Sequence, residues 1–246
     1  MTGLSDDPDL QAVLELFEAA HFDETQHPDE GLRERKKRQV RQRISNVATA
    51  LFLVHGFDNV TVAQVAAAAE VSEQTVFNYF STKESLFFDR SEPMIRTVAV
   101  AVGERRDEPL IEVAVRTIAG EIHPGRWANL DDAGQLLLIR RFCEVATGSP
   151  TLVAARFADL QRFVDEVSVA LGRRVGRDPG DAEVHLATFV IAGLVAVRVQ
   201  SAYRHAQRAT SFVELNDLIQ RDFVDAARIA EPSLTAFDDL GARAPG

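Results

Sequence analysis

Apolar residues recur at spacings of three and four along nearly the whole chain, and sustained alternation is scarce. That period is helical, and with no Asn-Gly hairpin signal it predicts an all-α protein. From Pro8 to Phe22, Leu10, Val13, Leu14, Phe17 and Ala20 share one face of an acidic amphipathic helix, which HPDEG at 27–31 breaks. A longer helix is expected from Arg33 to His55, with Val40, Ile44, Val47, Ala48, Leu51 and Phe52 as its apolar face and Gly56 as its stop. Thr61 opens a short helix, VAQVAAAA; Glu70, Val71 and Ser72 separate it from a second, EQTVFNYF; Thr82 opens the next. Longer helices follow at 83–103, 108–122, 131–147, 151–174, 180–206 and 211–230, punctuated by HPGRW, GSP and GRDPG. The pattern predicts an acidic extension (1–30), a three-helix domain (31–85), a larger helical domain (86–230) and a flexible tail (231–246).

Two short helices joined by a three-residue turn are a helix-turn-helix. Ala66, Ala67 and Ala69 are small enough for close crossing, and Val62, Val65, Val71, Val76 and Phe80 supply a miniature core. Ser72 is placed to cap the second helix with its hydroxyl. Glu73, Gln74, Thr75, Asn78 and Tyr79 are then left outward. Amide side chains match adenine edges, and threonine suits a thymine methyl or a phosphate. Tyr79 and Lys83 suit phosphates flanking a groove. The same residues would also serve as an ordinary solvated face.

Charge changes this picture. The 246-residue chain carries a net charge of -10, which argues against a nucleic-acid partner. Its distribution argues the other way. Residues 1–30 hold nine carboxylates and no Lys or Arg, whereas Arg33, Arg35, Lys36, Lys37, Arg38, Arg41 and Arg43 follow against Glu34 alone. Salt screens charges beyond about 10 Å, so a local basic block attracts phosphates on an acidic protein; a solvated helix face is the plainer reading.

Other classes find little support. Cys143 is the only cysteine, which fits a reducing cytoplasm. The longest apolar run, Phe189 to Val197, is too short for a membrane span, so no membrane partner is expected. No phosphate-binding loop, nucleophile elbow or zinc-protease motif is present, and no catalytic residue, cofactor or metal site is expected. His21, Asp23, Glu24 and His27 read as solvated polar residues.

The run from about Arg38 to Phe87, above all ATALFLVHGFDNVTVAQVAAAAEVS and EQTVFNYFSTKESLF, resembles the DNA-binding domain of the tetracycline-repressor (TetR) family. The resemblance implies a homodimeric, ligand-responsive regulator, by family default a repressor, that binds a palindromic double-stranded DNA operator. Carried across, it implies that Thr61 and Ser72 cap helices and touch phosphates, that Gln74 and Thr75 enter the major groove, and that Tyr79 and Lys83 hold phosphates; Arg43 of the basic stretch and Glu73 and Asn78 of the outward face complete the candidate DNA-binding set. Two positions depart from the family pattern: Glu70 stands where glycine is frequent in the turn, and Phe77 where tyrosine is frequent. An adaptor that keeps the fold without an operator is the alternative.

The resemblance further implies dimerisation through the last two long helices, about 180–206 and 211–230, and an effector cavity in the larger domain. Candidate lining residues are Trp127, Leu137, Arg140, Arg141, Phe142, Arg156, Phe157 and Phe189, each more readily read by itself as core. The stretches YFSTKESLFFDR, FCEVATGSPTLVAARFADLQ and LGRRVGRDPGD are similar to a branch associated with acyl-CoA-like ligands, which implies an effector with an apolar tail and an anionic head. The acidic extension either docks its apolar face on the protein or is a mobile tail.

Overall fold

The computed structural model describes residues 8–19, 31–122 and 130–242. Among these lie eleven helices and no strand: α1 (Pro8–Ala19), α2 (Leu32–His55), α3 (Val62–Ala68), α4 (Glu73–Tyr79), α5 (Lys83–Phe87), α6 (Ser91–Glu104), α7 (Leu110–Glu121), α8 (Asp132–Gly148), α9 (Pro150–Val175), α10 (Ala182–His205) and α11 (Phe212–Ala242). They form two compact units: Met1–Asp89 with Gly125–Ala155, and Arg90–Pro124 with Arg156–Gly246. Residues 130–155, expected in the larger domain, therefore belong with the N-terminal unit.

α2 is the spine of the first unit. Ile44, Val47, Ala48, Leu51 and Phe52 are buried at helical spacing along it. Gly56 ends it at a φ of 80°, a conformation that a Cβ disfavours. Phe57 then folds back against Phe52, ring centroids 5.0 Å apart, and Phe87 of α5 closes the cluster. α8 packs on α2, and its Phe142 stacks on Phe87 at 4.5 Å and 11°. Ser149, at the start of α9, donates to the Asp58 carboxylate at 3.0 Å. α1 lies on α2 with Leu10 buried and Val13 and Leu14 half-buried, so this part of the extension is docked by its apolar face. Phe17 and Ala20 lie outside the residues whose side chains are described, and so do residues 21–30 with His21, Asp23, Glu24 and His27.

The helix expected over 83–103 is broken at 88–90. Pro93 is the local reason, since proline is tolerated only in a helix's first turn. The tertiary reason is Asp89, whose carboxylate accepts from Ser45 at 2.7 Å and whose carbonyl accepts from Arg41 at 3.0 Å.

In the second unit, α6, α7, α10, α11 and α9 from Arg156 enclose a core that includes Val98, Val102, Val113, Ile118, Val167, Leu171, Ile191 and Phe223. Arg174 has its side chain almost fully buried and acts as a clamp. It donates to Asp238 at 2.9 Å and to the carbonyls of Val102, Arg105 and Glu108 at 3.2, 2.8 and 2.7 Å. Asp238 also accepts the backbone N–H of Leu110 at 2.7 Å.

Asp238 corrects the reading of the tail. Residues 231–242, expected to be flexible, are the last turns of α11. Interior Pro232 costs the helix a hydrogen bond and about 3 kcal/mol. Burial of Leu234 and Phe237, with the Asp238 bonds, outweighs it.

α10 is long and apolar enough to cross a membrane by composition. Here it packs on α11 and α7 and carries the buried Arg198.

Candidate nucleic-acid interface

The helix-turn-helix is fixed by local hydrogen bonds. Thr61 and Gln64 form a reciprocal capping box at the start of α3: the threonine Oγ1 accepts Gln64 N–H at 3.2 Å, and Thr61 N–H donates to Gln64 Oε1 at 2.7 Å. α3 ends with Val71 N–H donating to the Ala66 carbonyl at 2.9 Å and Glu70 N–H to the Ala67 carbonyl at 3.1 Å. That pair of bonds is a Schellman motif. It places Glu70 in the left-handed region at a φ of 53°, alone in this among the described non-glycine residues. The departure noted in the sequence thus leaves the turn geometry intact, with strain held at one residue.

Ser72 caps α4, its Oγ accepting Thr75 N–H at 3.1 Å and lying 2.8 Å from the Thr75 hydroxyl. Val76 turns inward and is fully buried, while Glu73, Gln74, Phe77 and Asn78 are exposed on the other side. Thr75 and Tyr79 are half-buried at the margins. Gln74 Nε2 donates to Asn78 Oδ1 at 3.2 Å, one turn along the helix. Thr82 and Ser85 form a second capping box at α5. Lys83 is half-buried: its Nζ sits over the Phe57 ring at 4.2 Å, and burial holds its pKa below the usual lysine value against the opposing charges of Asp58 and Glu84.

The basic stretch divides in two. Arg33, Arg35, Lys36, Lys37 and Arg43 are exposed on α2, whereas Arg41 is half-buried, bonded to the Asp89 carbonyl and stacked on Phe80 at 4.7 Å. Arg41 is therefore a structural arginine. Phe77 is the large apolar group on the outward face of α4, 47% exposed. Sequence reasoning marked it only as a departure from tyrosine.

The candidate effector residues divide between the two units. Leu137, Arg140, Arg141 and Phe142 belong to the first unit, and Arg156, Phe157 and Phe189 to the second. Trp127 lies outside the described residues. Phe142 is spent on Phe87, and Leu137, Phe157 and Phe189 are exposed. Arg141 is exposed and pairs with Glu144 at 3.4 Å; Arg140 is half-buried; Arg156 lies over Tyr203 at 4.6 Å.

A second inward arginine, after Arg174, is one the sequence did not single out. Arg198 is 3% exposed and donates to the carbonyls of Ile122 at 2.6 Å and Ala119 at 3.4 Å and to Gln220 at 3.2 Å, over the Phe223 ring. Burial pushes its pKa below the usual arginine range. The negative end of the α7 dipole and the last α7 carbonyls compensate the charge.

Known proteins resemble this arrangement. Residues 44–89 match the family described as bacterial regulatory proteins, tetR family. The HTH-type transcriptional regulator TcmR of Streptomyces glaucescens is 29% identical over 172 residues, covering 60% of this chain and 76% of that protein. MftR of Mycobacterium tuberculosis is 36% identical over 59 residues, 24% of this chain and 30% of that protein. The crystal structure of a TetR-family protein from Syntrophomonas wolfei covers 79% of this chain and 96% of its own at 18% identity and a TM-score of 0.52, a likeness of fold. Residues 44–89 thus carry the DNA-binding domain of the tetR family of bacterial regulatory proteins, and the chain is a helix-turn-helix transcriptional regulator.

Proposed function

We propose that the protein is a homodimeric repressor that binds a palindromic operator and leaves it when a small amphiphilic molecule binds the second unit. One observation carries the DNA half of this reading: α4 presents Gln74 and Asn78 on an exposed face while Val76 behind it is fully buried. A rigid rod with amide groups outward suits the major groove. Arg33, Arg35, Lys36, Lys37 and Arg43 then supply phosphate attraction that the net charge of -10 conceals. Thr61, Ser72 and Tyr79 touch phosphates at the margins, and Lys83 leaves Phe57 to do the same.

The dimer reading is supported by α10. Leu186, Phe189, Gly193 and Ala196 recur at spacings of three and four and are all exposed, an apolar face on a helix whose other side packs on α11. Paired with its copy and α11, that face would make a four-helix interface. Two recognition helices would then meet successive major grooves about 34 Å apart. The effector class is an apolar molecule with an anionic head of acyl-CoA type, and coupling is reciprocal, so operator DNA weakens effector binding by the same factor. The protein works in the cytoplasm, beside the chromosome.

Selection of duplexes from a randomised pool by the full-length protein tests this reading. An inverted repeat should be enriched, and Gln74→Ala should relax preference at one base pair per half-site by about 1–3 kcal/mol. Absence of any enriched sequence would overturn operator binding. Mass spectrometry of whatever co-purifies, followed by release of labelled operator on adding acyl-CoAs, tests the effector.

A further inference from the structure

α4 carries more than a place in a groove. Gln74, Phe77 and Asn78 stand at i, i+3 and i+4 on one exposed face, and the two amides are already bonded to each other at 3.2 Å. That bond uses one of the two donor hydrogens of Gln74 and one of the two lone pairs of the Asn78 oxygen. It leaves the Gln74 carbonyl oxygen as an acceptor and the Asn78 amide nitrogen as a donor. Turning both amides over leaves the same pair in mirror order, so the outcome does not depend on which atom is nitrogen. A fixed acceptor beside a fixed donor complements adenine, whose N6 donates and N7 accepts.

Phe77 lies between the two amides in sequence, 47% exposed and with no polar atom. A ring on the groove-facing side cannot hydrogen-bond, and its favourable major-groove partner is the thymine 5-methyl group. We propose that Gln74 and Asn78 act as one preorganised unit that reads an adenine, and that Phe77 packs on a thymine methyl at or beside the same A·T pair. These are specificity-determining roles within the DNA-binding reading above, and they rest on it. The mutual bond contributes by ordering both side chains before DNA arrives, so less rotamer freedom is lost on binding.

The test uses the full-length protein and the duplex it enriches from a randomised pool, with affinity measured by fluorescence anisotropy. Each thymine is replaced in turn by deoxyuridine, which removes only the methyl group. At one thymine per half-site the wild-type protein should lose about fourfold in affinity, the factor for one buried methyl-sized group. Phe77→Ala should bind more weakly but lose nothing further at that thymine, and Phe77→Tyr, which keeps the ring, should retain the effect. Replacing the neighbouring adenine by 7-deazaadenine, which lacks the N7 acceptor, should cost the wild type about tenfold and Asn78→Ala much less. If the duplex is bound specifically but no thymine responds to demethylation, or Phe77→Ala responds equally, the Phe77 assignment is overturned while operator binding stands. If no duplex is enriched, operator binding itself falls, and this inference with it.

Discussion

Replacing Glu70 by glycine should stabilise the DNA-binding unit. Glu70 occupies the left-handed position of the Schellman turn at a φ of 53°, with its side chain exposed. That conformation costs an L-residue about 1–2 kcal/mol through contact between Cβ and carbonyl oxygen. Glycine removes the contact but makes the unfolded chain freer, which returns about 0.4–1 kcal/mol. The net gain is about 0.5–1 kcal/mol, or a rise in Tm of about 1–4 °C for a chain of this size. Glu70→Ala is the control, because it deletes the carboxylate and keeps the Cβ. Its stability should stay within about 0.5 kcal/mol of the native protein. Urea unfolding followed by far-ultraviolet circular dichroism measures all three. A Glu70→Gly variant no more stable than Glu70→Ala would refute the reasoning, since the two differ only in freedom to adopt positive φ.

Three further outcomes follow from the second unit. Arg198→Met should destabilise it by about 2–4 kcal/mol in denaturant titration, because the Ala119 and Ile122 carbonyls and Gln220 lose a charged donor in a buried place. Ending the chain at Ala230 should unfold or precipitate the protein on purification, since Leu234 and Phe237 leave the core and the buried Arg174 loses Asp238. Asp222 is held below the usual aspartate pKa by hydrogen bonds from Ser201 and His205 and by the charges of His205 and Arg204. A carboxyl lowered on folding contributes stability that is present above its unfolded pKa of about 3.9 and lost as pH falls through the lower folded value. Thermal unfolding should therefore show a steeper acid decline in the native protein than in Asp222→Asn; equal slopes would contradict the assignment.

The parts legible in the sequence were those whose causes are local. Ser72, Thr61 and Thr82 each bond a residue three positions on, so spacing alone located α3, α4 and α5. The parts that escaped depend on distant partners. The break at 88–90 is set by an Asp89 contact to Ser45, 44 positions away. The end of α11 escaped because Pro232 reads as a stop, although the apolar spacing continues through Ala230, Leu234 and Phe237. Arg198 escaped because an arginine on an apolar helix is ordinarily read as surface, and its carbonyl acceptors lie at the C-terminal end of α7, 76 and 79 positions earlier. The effector candidates were chosen by residue type without knowledge of direction, and Phe157 and Phe189 turn out to face solvent.

The most direct test of the account is a crystal structure of the full-length protein on its selected duplex. It should show α4 lying in the major groove, with Gln74 and Asn78 within about 2.7–3.2 Å of base-edge atoms and Phe77 against a methyl group. A complex in which α4 touches only the sugar–phosphate backbone, or points away from the duplex, would contradict it.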